Sequence, residues 1–428
     1  MGCCLVPYLC PPWRVLNSVP KPVLIFQPPT VLQTPEVDYG NHRSAFPALQ
    51  NKRYFNYGGQ GPLPWGSLGA IAKAYTQLQE IGPFSSAANG WGQTIAQQLR
   101  IQMAGEFSVH PDTITLTENV SVGCNIALWG LPWQAGDHIL LTDCEHPGIV
   151  AVIQELQRRF DLRVSTVALL PLLNSGDPVQ AILKGLQNNT RLVVLSHVLW
   201  NTGHVLPLRE IVQGCQKAES GRYPVRLLVD AAQSVGSQAL NLQDLGVDFY
   251  AFTGHKWWCG PEGVGGLYVR PGVRDELQPT FAAWRGIVED ESGTPTGWKD
   301  NGQRYEVATS AYPLYAGLLE SLRVHQAWGS ASQRYERLRS LGQSLWQQLQ
   351  TIPGITCLQD LPPTTGIVSF QVADRDPQDL VQYLEAQQIL VRKIRNPACV
   401  RACTHYLTTE EEVAQLVAAV QSFVGIPG

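Results

Sequence analysis

The chain has 428 residues, of which 44% are hydrophobic and 15% are charged, and its formal net charge is −4. A chain of this length and hydrophobic content can bury one large core and one smaller core, so we expect two globular domains. Charges of both signs are scattered along the chain, which excludes a basic stripe for nucleic acid. No stretch reaches the roughly 18 consecutive apolar residues of a membrane span, so we expect no membrane association.

Ten cysteines are spread along the chain without a CxxC pair or a disulfide framework. This pattern favours a reducing compartment, and we expect a cytoplasmic protein. Cys399, Cys403 and His405 form a tight cluster with metal-ligand chemistry. Metal binding there is one hypothesis, and ordinary packing beside an anion-binding site is the preferred one. We therefore predict no metal site.

Residues 1–40 contain many prolines and only a weak apolar run. They lack the charged start, clean apolar segment and small-residue cleavage site of a secretory signal. We expect a disordered extension here. An organelle-targeting segment and an overextended start are the alternatives.

Residues 41–57 are predicted to be an N-terminal segment that packs on the smaller domain. A short strand beginning at Arg53 runs into the loop 58–62, where glycine lets the backbone approach another group closely. Gly59 and Gln60 either line a substrate pocket or belong to a plain glycine turn.

Residues 58–294 are predicted to form the large domain. Helical apolar spacing covers 65–79 and 93–107, and beyond them short apolar runs alternate with stretches long enough for a helix. The predicted strands are 114–117, 138–142, 162–167, 191–197, 225–229, 247–252 and 267–269, and the predicted helices among them are 120–128, 148–160, 178–186 and 208–217. This alternation predicts an α/β fold with a mostly parallel seven-stranded sheet covered on both faces.

Residues 295–428 are predicted to form a smaller α+β domain. Its expected elements are helices at 312–328 and 332–350, strands at 366–371 and 390–393, and a last helix from Glu410. Arg392 and Arg401 lie in this domain. Each could form the bidentate contacts that hold the carboxylate of an amino acid, or each could be a solvated surface charge.

Polar residues follow the carboxyl ends of successive predicted strands, which is where a parallel sheet presents its chemistry. Each has a structural alternative as a loop histidine, a helix cap or a turn former. Their convergence at one edge of the sheet favours a shared site. The residues are Val120 and Ser121, His146, Asn201, Asp230 and Gln233, and Thr253, His255 and Lys256.

Lys256 lies on the turn after the predicted strand 247–252. A lysine held there away from bulk water can lose its proton and become a nucleophilic amine. Its obvious use is a Schiff base with pyridoxal phosphate (PLP), a cofactor that also needs an acid at its ring nitrogen, a group over its ring and a phosphate site. A solvated turn lysine is the alternative.

The other polar residues could supply what PLP needs. Asp230 could pair with the protonated ring nitrogen, and His146 could stack on the ring. We expect Gln233 and Asn201 to hydrogen-bond the ring hydroxyl. The phosphate would be held at a helix N-terminus that Ser121 is expected to cap. The predicted phosphate ligands are Val120, Ser121, Thr253 and His255.

Five segments resemble the class V aminotransferase and cysteine desulfurase family of PLP enzymes: LTDCEHPG, SHVLWNTG, LLVDAAQS, TGHKWW and RYEVATSAYP. The resemblance covers about residues 46–423 and implies the fold type I architecture. It implies that Lys256 forms the Schiff base and that His146 stacks on the ring. It also implies that Asp230 and Gln233 contact the ring nitrogen and ring hydroxyl.

The same resemblance implies a homodimer, in which Thr309 contributes to the phosphate site of the partner subunit. It makes Arg401 the first choice for the substrate carboxylate and Arg392 the second. We expect no bound nucleic acid and no membrane, and a cysteine or cystine substrate.

The resemblance leaves two sulfur chemistries to compare. Desulfurases of this family carry a nucleophilic cysteine in an RxGHHC-like motif, whereas this chain reads RKIRNPAC, without the Gly-His pair and with Cys399 two places later. A misplaced thiol cannot attack the substrate sulfur. We therefore predict a carbon–sulfur lyase that releases pyruvate, ammonia and sulfide or persulfide, with Lys256 removing the Cα proton. The persulfide could feed iron–sulfur assembly through a sulfur-accepting protein.

Three alternatives stay open at this point. One is a cysteine desulfurase that produces alanine, and another is a different class V aminotransferase. The third belongs to another class, a protein that binds PLP without catalysis and acts as a scaffold.

Overall fold

The structure is a computed structural model, and it describes residues 39–218 and 223–425. The predicted N-terminal extension therefore lies almost wholly outside the described residues. Within the described part, no helix is both long and apolar enough to cross a bilayer.

A seven-stranded sheet organises the N-terminal two thirds of the described chain. Its order is β2-β8-β7-β6-β5-β3-β4, and every neighbouring pair is parallel except those that include β8, which runs antiparallel to β2 and β7. The strands are β2 (Ile114–Thr117), β3 (His138–Thr142), β4 (Arg163–Val167), β5 (Thr190–Ser196), β6 (Arg226–Asp230), β7 (Phe249–Thr253) and β8 (Gly265–Val269), and β1 (Arg53–Tyr54) precedes them outside this sheet.

Helices cover both faces of this sheet, as the near-continuous apolar strands require. Successive residues of β5 point to opposite faces. Leu192 and Val194 join one buried cluster, and Val193 and Leu195 join another. The helices are α1 (Trp65–Glu80), α2 (Ser86–Phe107), α3 (Val120–Gly130), α4 (Pro147–Phe160), α5 (Pro178–Lys184), α6 (Leu208–Lys217), α7 (Leu242–Leu245) and α8 (Tyr312–Trp328).

The strand order reverses between β3 and β5. The chain passes from β3 to β4 on one side, and then continues through β5, β6 and β7 on the other side. Open α/β sheets bind ligands in the crevice at the carboxyl ends of the strands beside such a reversal. The fold therefore places a crevice next to Thr142 and Ser196, the last residues of β3 and β5.

A four-stranded antiparallel sheet lies in the C-terminal part, in the order β11-β12-β15-β14. It packs with three helices around a third buried cluster. The elements are β11 (Ile355–Cys357), β12 (Ile367–Val372), β13 (Ile389–Leu390), β14 (Arg392–Arg395), β15 (Ala398–Cys403), α9 (Ala331–Gln350), α10 (Pro377–Ala386) and α11 (Glu410–Phe423), and a hairpin of β9 (Ile287–Glu289) and β10 (Pro295–Trp298) precedes them.

The N-terminal segment connects to this second sheet region. β1 pairs in parallel with β13, and the Arg43 guanidinium contacts the Glu412 carboxylate on α11. The loop after β1 then runs towards the large sheet, where the Gly61 N–H donates to the His255 carbonyl at 2.8 Å. A Cβ at Gly61 would lie 2.1 Å from the Lys256 carbonyl oxygen, so only glycine fits this approach.

The predicted α/β architecture is confirmed, and most predicted elements end within about two residues of the observed ones. The second predicted helix was too short, because Ser85 caps α2 by accepting the Ala88 N–H at 3.1 Å. The predicted strand at 390–393 is two strands, β13 and β14, with a break at Val391. The predicted domain boundaries stay a prediction.

Candidate active site

A cavity of about 410 Å³ opens where the carboxyl ends of the large sheet meet β14 and β15. Ten of the predicted site residues line it: Gly59, Val120, Ser121, His146, Asp230, Gln233, His255, Lys256, Arg392 and Arg401. The two sheets thus bring together residues that are distant in sequence. The remaining four predicted residues lie elsewhere, and their positions are described below.

Lys256 lies on a turn directly after β7. Hydrogen bonds close the turn: the Gly260 N–H donates to the Gly254 carbonyl at 2.9 Å, and the Cys259 N–H donates to the Lys256 carbonyl at 3.0 Å. Burial lowers the pKa of Lys256 to about 8, and the charges of Arg401 and Arg392 act in the same direction. Asp230 opposes them. With a pKa of about 8, about a tenth of this amine is neutral at pH 7, far more than of a free lysine, and only the neutral form can act as a nucleophile or base.

Asp230 is the last residue of β6, and its side chain is buried. Its Oδ1 accepts the N–H of Ala232 at 2.9 Å, which fixes the carboxylate at the carboxyl end of the sheet. In the register of the sheet it lies opposite Ser196 on β5. A carboxylate held in this way can pair with a cationic ring nitrogen.

His146 caps α4, and its Nδ1 accepts the Gly148 N–H at 3.1 Å. Because Nδ1 is an acceptor, the proton of the neutral ring lies on Nε2. Partial desolvation lowers the pKa of His146, which favours the same neutral form. Trp200 packs edge to face against the ring at 5.6 Å between centroids. The ring is thereby held at the cavity in a fixed orientation.

Gln233 is buried between the lysine turn and the glycine loop. Its Nε2 donates to the Gly58 carbonyl at 2.8 Å, and its Oε1 accepts the Trp257 indole N–H at 3.0 Å. An amide nitrogen carries two hydrogens. Gln233 can therefore hold Gly58 and still donate to a ligand in the cavity.

Arg401 and Arg392 are opposite each other on the neighbouring strands β15 and β14. Arg401 is buried, and its Nη1 donates to the Trp200 carbonyl at 2.7 Å. Its Nε is buried and has no partner in the structure. An unpaired buried donor costs free energy, and a ligand carboxylate would satisfy it. Arg392 is exposed to solvent at the same cavity.

The N-terminus of α3 forms another wall. Val120 and Ser121 are its first residues, and their N–H groups lie at the positive end of the helix dipole. The prediction that Ser121 caps this helix was wrong. Asn119 is the cap, because its side chain accepts the Val122 N–H at 3.0 Å, and Ser121 is exposed in the first turn. The helix end still suits an anion such as phosphate.

Thr253 does not line the cavity but orients a residue that does. It is buried at the end of β7, and its Oγ1 lies 2.6 Å from His255 Nδ1. Burial lowers the pKa of His255, so the ring is neutral and can donate one hydrogen bond to an anion. Thr253 therefore orients His255 in this structure, and its role towards a phosphate stays a prediction.

Asn201, Gln60 and Thr309 also do not line the cavity. The Asn201 amide donates to the Asn396 carbonyl at 3.1 Å, while its Oδ1 is buried and without a partner. The Gln60 amide instead contacts the Glu262 carboxylate. Thr309 is exposed on the segment before α8. The functional roles of these three residues stay predictions.

The cysteine–histidine cluster is packed tightly. Cys399 and Cys403 are fully buried, and burial raises the pKa of Cys399 to about 12. The His405 Nε2 donates to the Trp257 carbonyl at 3.1 Å, and its ring stacks on Tyr57 with centroids 4.3 Å apart. In the described parts of the chain, no group of three or more His, Cys, Asp or Glu side chains could hold a metal ion.

The structure adds residues to the site that sequence reasoning did not select. Asn119, Trp200, Ser196 and Gly58 line the cavity, and Glu145 lies behind it. Asn119 could have been found as a helix cap, because asparagine before an apolar run is a start signal. Trp200 follows β5, and its carbonyl accepts a hydrogen bond from Arg401 of the second sheet, a contact that no local pattern shows.

The chain belongs to the class-V aminotransferase family, whose model matches residues 70–417. Two solved structures of C-DES are similar to it. The complex between the cystine C-S lyase C-DES and its reaction product cysteine persulfide is 49% identical, with a TM-score of 0.86, and the match covers 90% of this chain and 100% of that chain. A C-DES mutant with glycine covalently linked to the PLP cofactor is 50% identical, again with a TM-score of 0.86, over 89% and 98% of the two chains.

Among curated proteins, a probable cysteine desulfurase from Methanothermobacter thermautotrophicus is 28% identical over 407 residues, which covers 90% of this chain and 98% of that protein. The predicted family and fold type are thus confirmed.

The charge environment of Lys256 can be tested in cofactor-free protein. We expect the amine to titrate at a pH near 8, and we expect Asp230→Asn to lower this pKa, because the carboxylate stabilises the ammonium form. Reductive methylation with ¹³C-formaldehyde followed by NMR titration measures the pKa, and Lys256→Ala assigns the resonance. A titration that Asp230→Asn leaves unchanged would contradict this electrostatic account.

Proposed function

We propose that the protein is a PLP-dependent carbon–sulfur lyase. It cleaves L-cysteine or L-cystine by β-elimination and releases pyruvate, ammonia and sulfide or persulfide. The observation that carries this proposal is the cavity itself. It combines a lysine of lowered pKa, a carboxylate at the sheet edge and two arginines, while Cys399 beside it is buried.

The cavity fits PLP. Lys256 would bind the aldehyde carbon, Asp230 the ring nitrogen, and Gln233 the ring hydroxyl, while the His146 ring would cover one face. The N-terminus of α3 and His255 would hold the phosphate. PLP, when bound, supplies an electron sink for the negative charge left at Cα after proton removal. The unpaired donor of Arg401 also fits a ligand carboxylate at this site.

The protein side chains orient the substrate for one bond cleavage. Arg401 would bind the substrate carboxylate, assisted by Arg392 on the opposite strand. Because Arg401 is fixed on the Trp200 carbonyl, it holds the carboxylate in one position and so fixes the direction of the Cα–H bond. Lys256, with a pKa of about 8, can accept the proton from Cα, and the electron pair left at Cα would then expel the β-sulfur.

Elimination is favoured over sulfur transfer to a protein thiol. A desulfurase needs an accessible thiolate next to the substrate sulfur. Cys399 is fully buried, and its Sγ lies 4.0 Å from the Asn201 carbonyl oxygen. Burial raises its pKa to about 12, so the thiol is protonated and inert. The β-sulfur then leaves as an anion, and a persulfide leaves more readily than a thiolate because its conjugate acid is stronger.

A homodimer with shared sites is part of the proposal. Large apolar side chains are exposed to water, among them Phe84 at 79% and Trp284 at 54%, and the two line one hollow of the surface. Exposed apolar patches of this kind commonly mark protein interfaces. The neighbouring segment that carries Thr309 begins at Glu306, which is held by Arg100 and Arg285 at 2.5 Å each. That anchor would let Thr309 reach the partner's phosphate site.

The cellular setting completes the proposal. The seven cysteines in the described part are unpaired and buried, which suits a reducing cytoplasm. A persulfide product would pass to a sulfur-accepting protein and serve iron–sulfur assembly.

Product analysis with cystine tests the reaction. We expect stoichiometric pyruvate and ammonia and no alanine from the PLP-loaded protein. Lys256→Ala should lower turnover by at least about 100-fold, since it removes the general base, and should abolish the visible absorption of the lysine-bound cofactor. Alanine as the product would show a desulfurase. Formation of neither pyruvate nor alanine would refute the lyase and leave the scaffold and another class V aminotransferase as the alternatives.

Replacing Cys399 separates elimination from desulfuration. We expect Cys399→Ala to keep pyruvate formation within about threefold, because a protonated buried thiol takes no part in the chemistry. The mutation should cost about 1 kcal/mol of stability, as is typical of small core changes. Cys399→Ser is the control for volume. Loss of turnover by orders of magnitude in a folded Cys399→Ala variant would support the desulfurase.

Mixed dimers test whether Thr309 acts across the interface. Lys256→Ala and Thr309→Ala homodimers should each be weakly active. Unfolding and refolding an equal mixture should restore one intact site in each mixed dimer, because that site receives Lys256 and Thr309 from different subunits. Activity of the mixture equal to the mean of the two parents would contradict a shared site.

A further inference from the structure

Glu145 is a buried carboxyl group behind the cavity that the proposed reaction does not use. It lies between the end of β3 and the helix cap His146, and only 6% of it is exposed. Its Oε1 is 2.6 Å from Thr142 Oγ1 on β3, and its Oε2 is 2.8 Å from Ser196 Oγ on β5. It therefore bridges the two strands at which the order of the large sheet reverses.

The hydrogen-bond pattern around Glu145 leaves room for a proton. Thr142 Oγ1 accepts the Cys144 N–H at 3.2 Å, so its own hydrogen is directed to Glu145 Oε1. Ser196 Oγ donates to Oε2 when the carboxyl group is ionised, and it can accept from Oε2 when the group is protonated, because a hydroxyl is both donor and acceptor. A proton on Oε2 would then be donated to Ser196, and the hydroxyl hydrogen of Ser196 would be free to turn towards the cavity that Ser196 lines.

The surroundings of Glu145 favour the protonated form of its carboxyl group. Within residues 39–218 and 223–425, no ion pair includes Glu145, and the nearby charged group is Asp230, of like sign. The titratable groups that face it from other elements are Asp230 on β6 and Cys124 on α3, together with the adjacent Cys144. Burial raises the pKa of Glu145 to about 8, with a smaller contribution from Asp230, and it outweighs the hydrogen bonds with Thr142 and Ser196, which lower the pKa. Burial also raises the pKa of both thiols, so neither adds charge.

We propose that Glu145 is an uncharged positioning residue for the cofactor site, which ties β3 to β5 beside Asp230 without adding a second negative charge. The proposal rests on the proposed function, because it takes Asp230 as the partner of the ring nitrogen. Since Glu145 is neutral, Asp230 alone sets the charge opposite that nitrogen. Since Glu145 directly precedes His146, the same bridge also fixes the residue that covers the ring.

The protonation state is measured on cofactor-free protein. We expect pH-difference infrared spectra to show a protonated carboxyl band at pH 7 that disappears as the pH rises through about 8. Glu145→Gln should remove this band, and Asp230→Asn should keep it. Absence of a protonated carboxyl band at pH 7 in the unmodified protein would overturn the proposal, whether or not the protein is a lyase.

The positioning role is measured by PLP binding and by the absorption of the bound cofactor. We expect Glu145→Gln to keep the PLP affinity within about threefold, because the amide preserves shape and neutrality, and Glu145→Ala to lose about tenfold or more, because two hydroxyls lose their partner. Thermal unfolding of the unloaded variants identifies any folding defect. A Glu145→Gln variant as impaired as Glu145→Ala would show that the ionised Glu145 carboxylate is required, and would contradict the proposal.

Failure of the unmodified protein to bind PLP would refute the proposed function instead. The infrared result would still decide the protonation state of Glu145.

Discussion

The electrostatic balance at Lys256 is the constraint on which the rest of the site depends. An ammonium group at this position loses hydration, and the Arg401 and Arg392 guanidinium groups oppose its charge, while Asp230 favours it. The balance places the pKa of Lys256 at about 8. A value nearer that of a free lysine would leave too little neutral amine, and removal of Asp230 would leave three cations around one cavity. The Asp230 carboxylate thus offsets part of the repulsion among the lysine and the two arginines, so that all three can lie around one cavity.

This balance requires two sheets, because neither sheet contains all of the charges. The large sheet supplies Asp230 and the turn of Lys256 at the ends of β6 and β7. Arg401 comes from a central strand of the four-stranded sheet, and it is joined to the large sheet through the Trp200 carbonyl. The glycine loop after β1 fills the remaining space. A Cβ on Gly58 would lie 3.0 Å from both Arg401 and Gln233. The small size of the loop is therefore part of the site geometry.

The sequence allowed prediction of the parts that follow from local pattern. Buried parallel strands are short apolar runs between helices, so the large sheet and the polar residues at its edge could be derived in order. β15 was missed, because its sequence ACVRAC includes a buried arginine whose partner is a carbonyl 201 residues away. Asn201 was placed in the cavity because it follows β5, yet its amide donates to Asn396 in the β14–β15 turn. The hydrogen-bond partners of Arg401 and Asn201 depend on tertiary packing, which a local stretch of sequence does not show.

The outcome of the proposed reaction depends on whether a protein thiolate can reach the substrate sulfur. Once the Cα proton is removed, the β-sulfur can leave or be taken by a thiolate, and the second route needs a thiolate within reach. The hairpin of β14 and β15 places Cys399 in the interior, where burial keeps it protonated. The residues between Arg392 and Cys399 form that tight hairpin rather than a loop long enough to bring a thiol to the substrate. A chain that shares its fold with probable desulfurases can therefore favour elimination through the geometry of one hairpin.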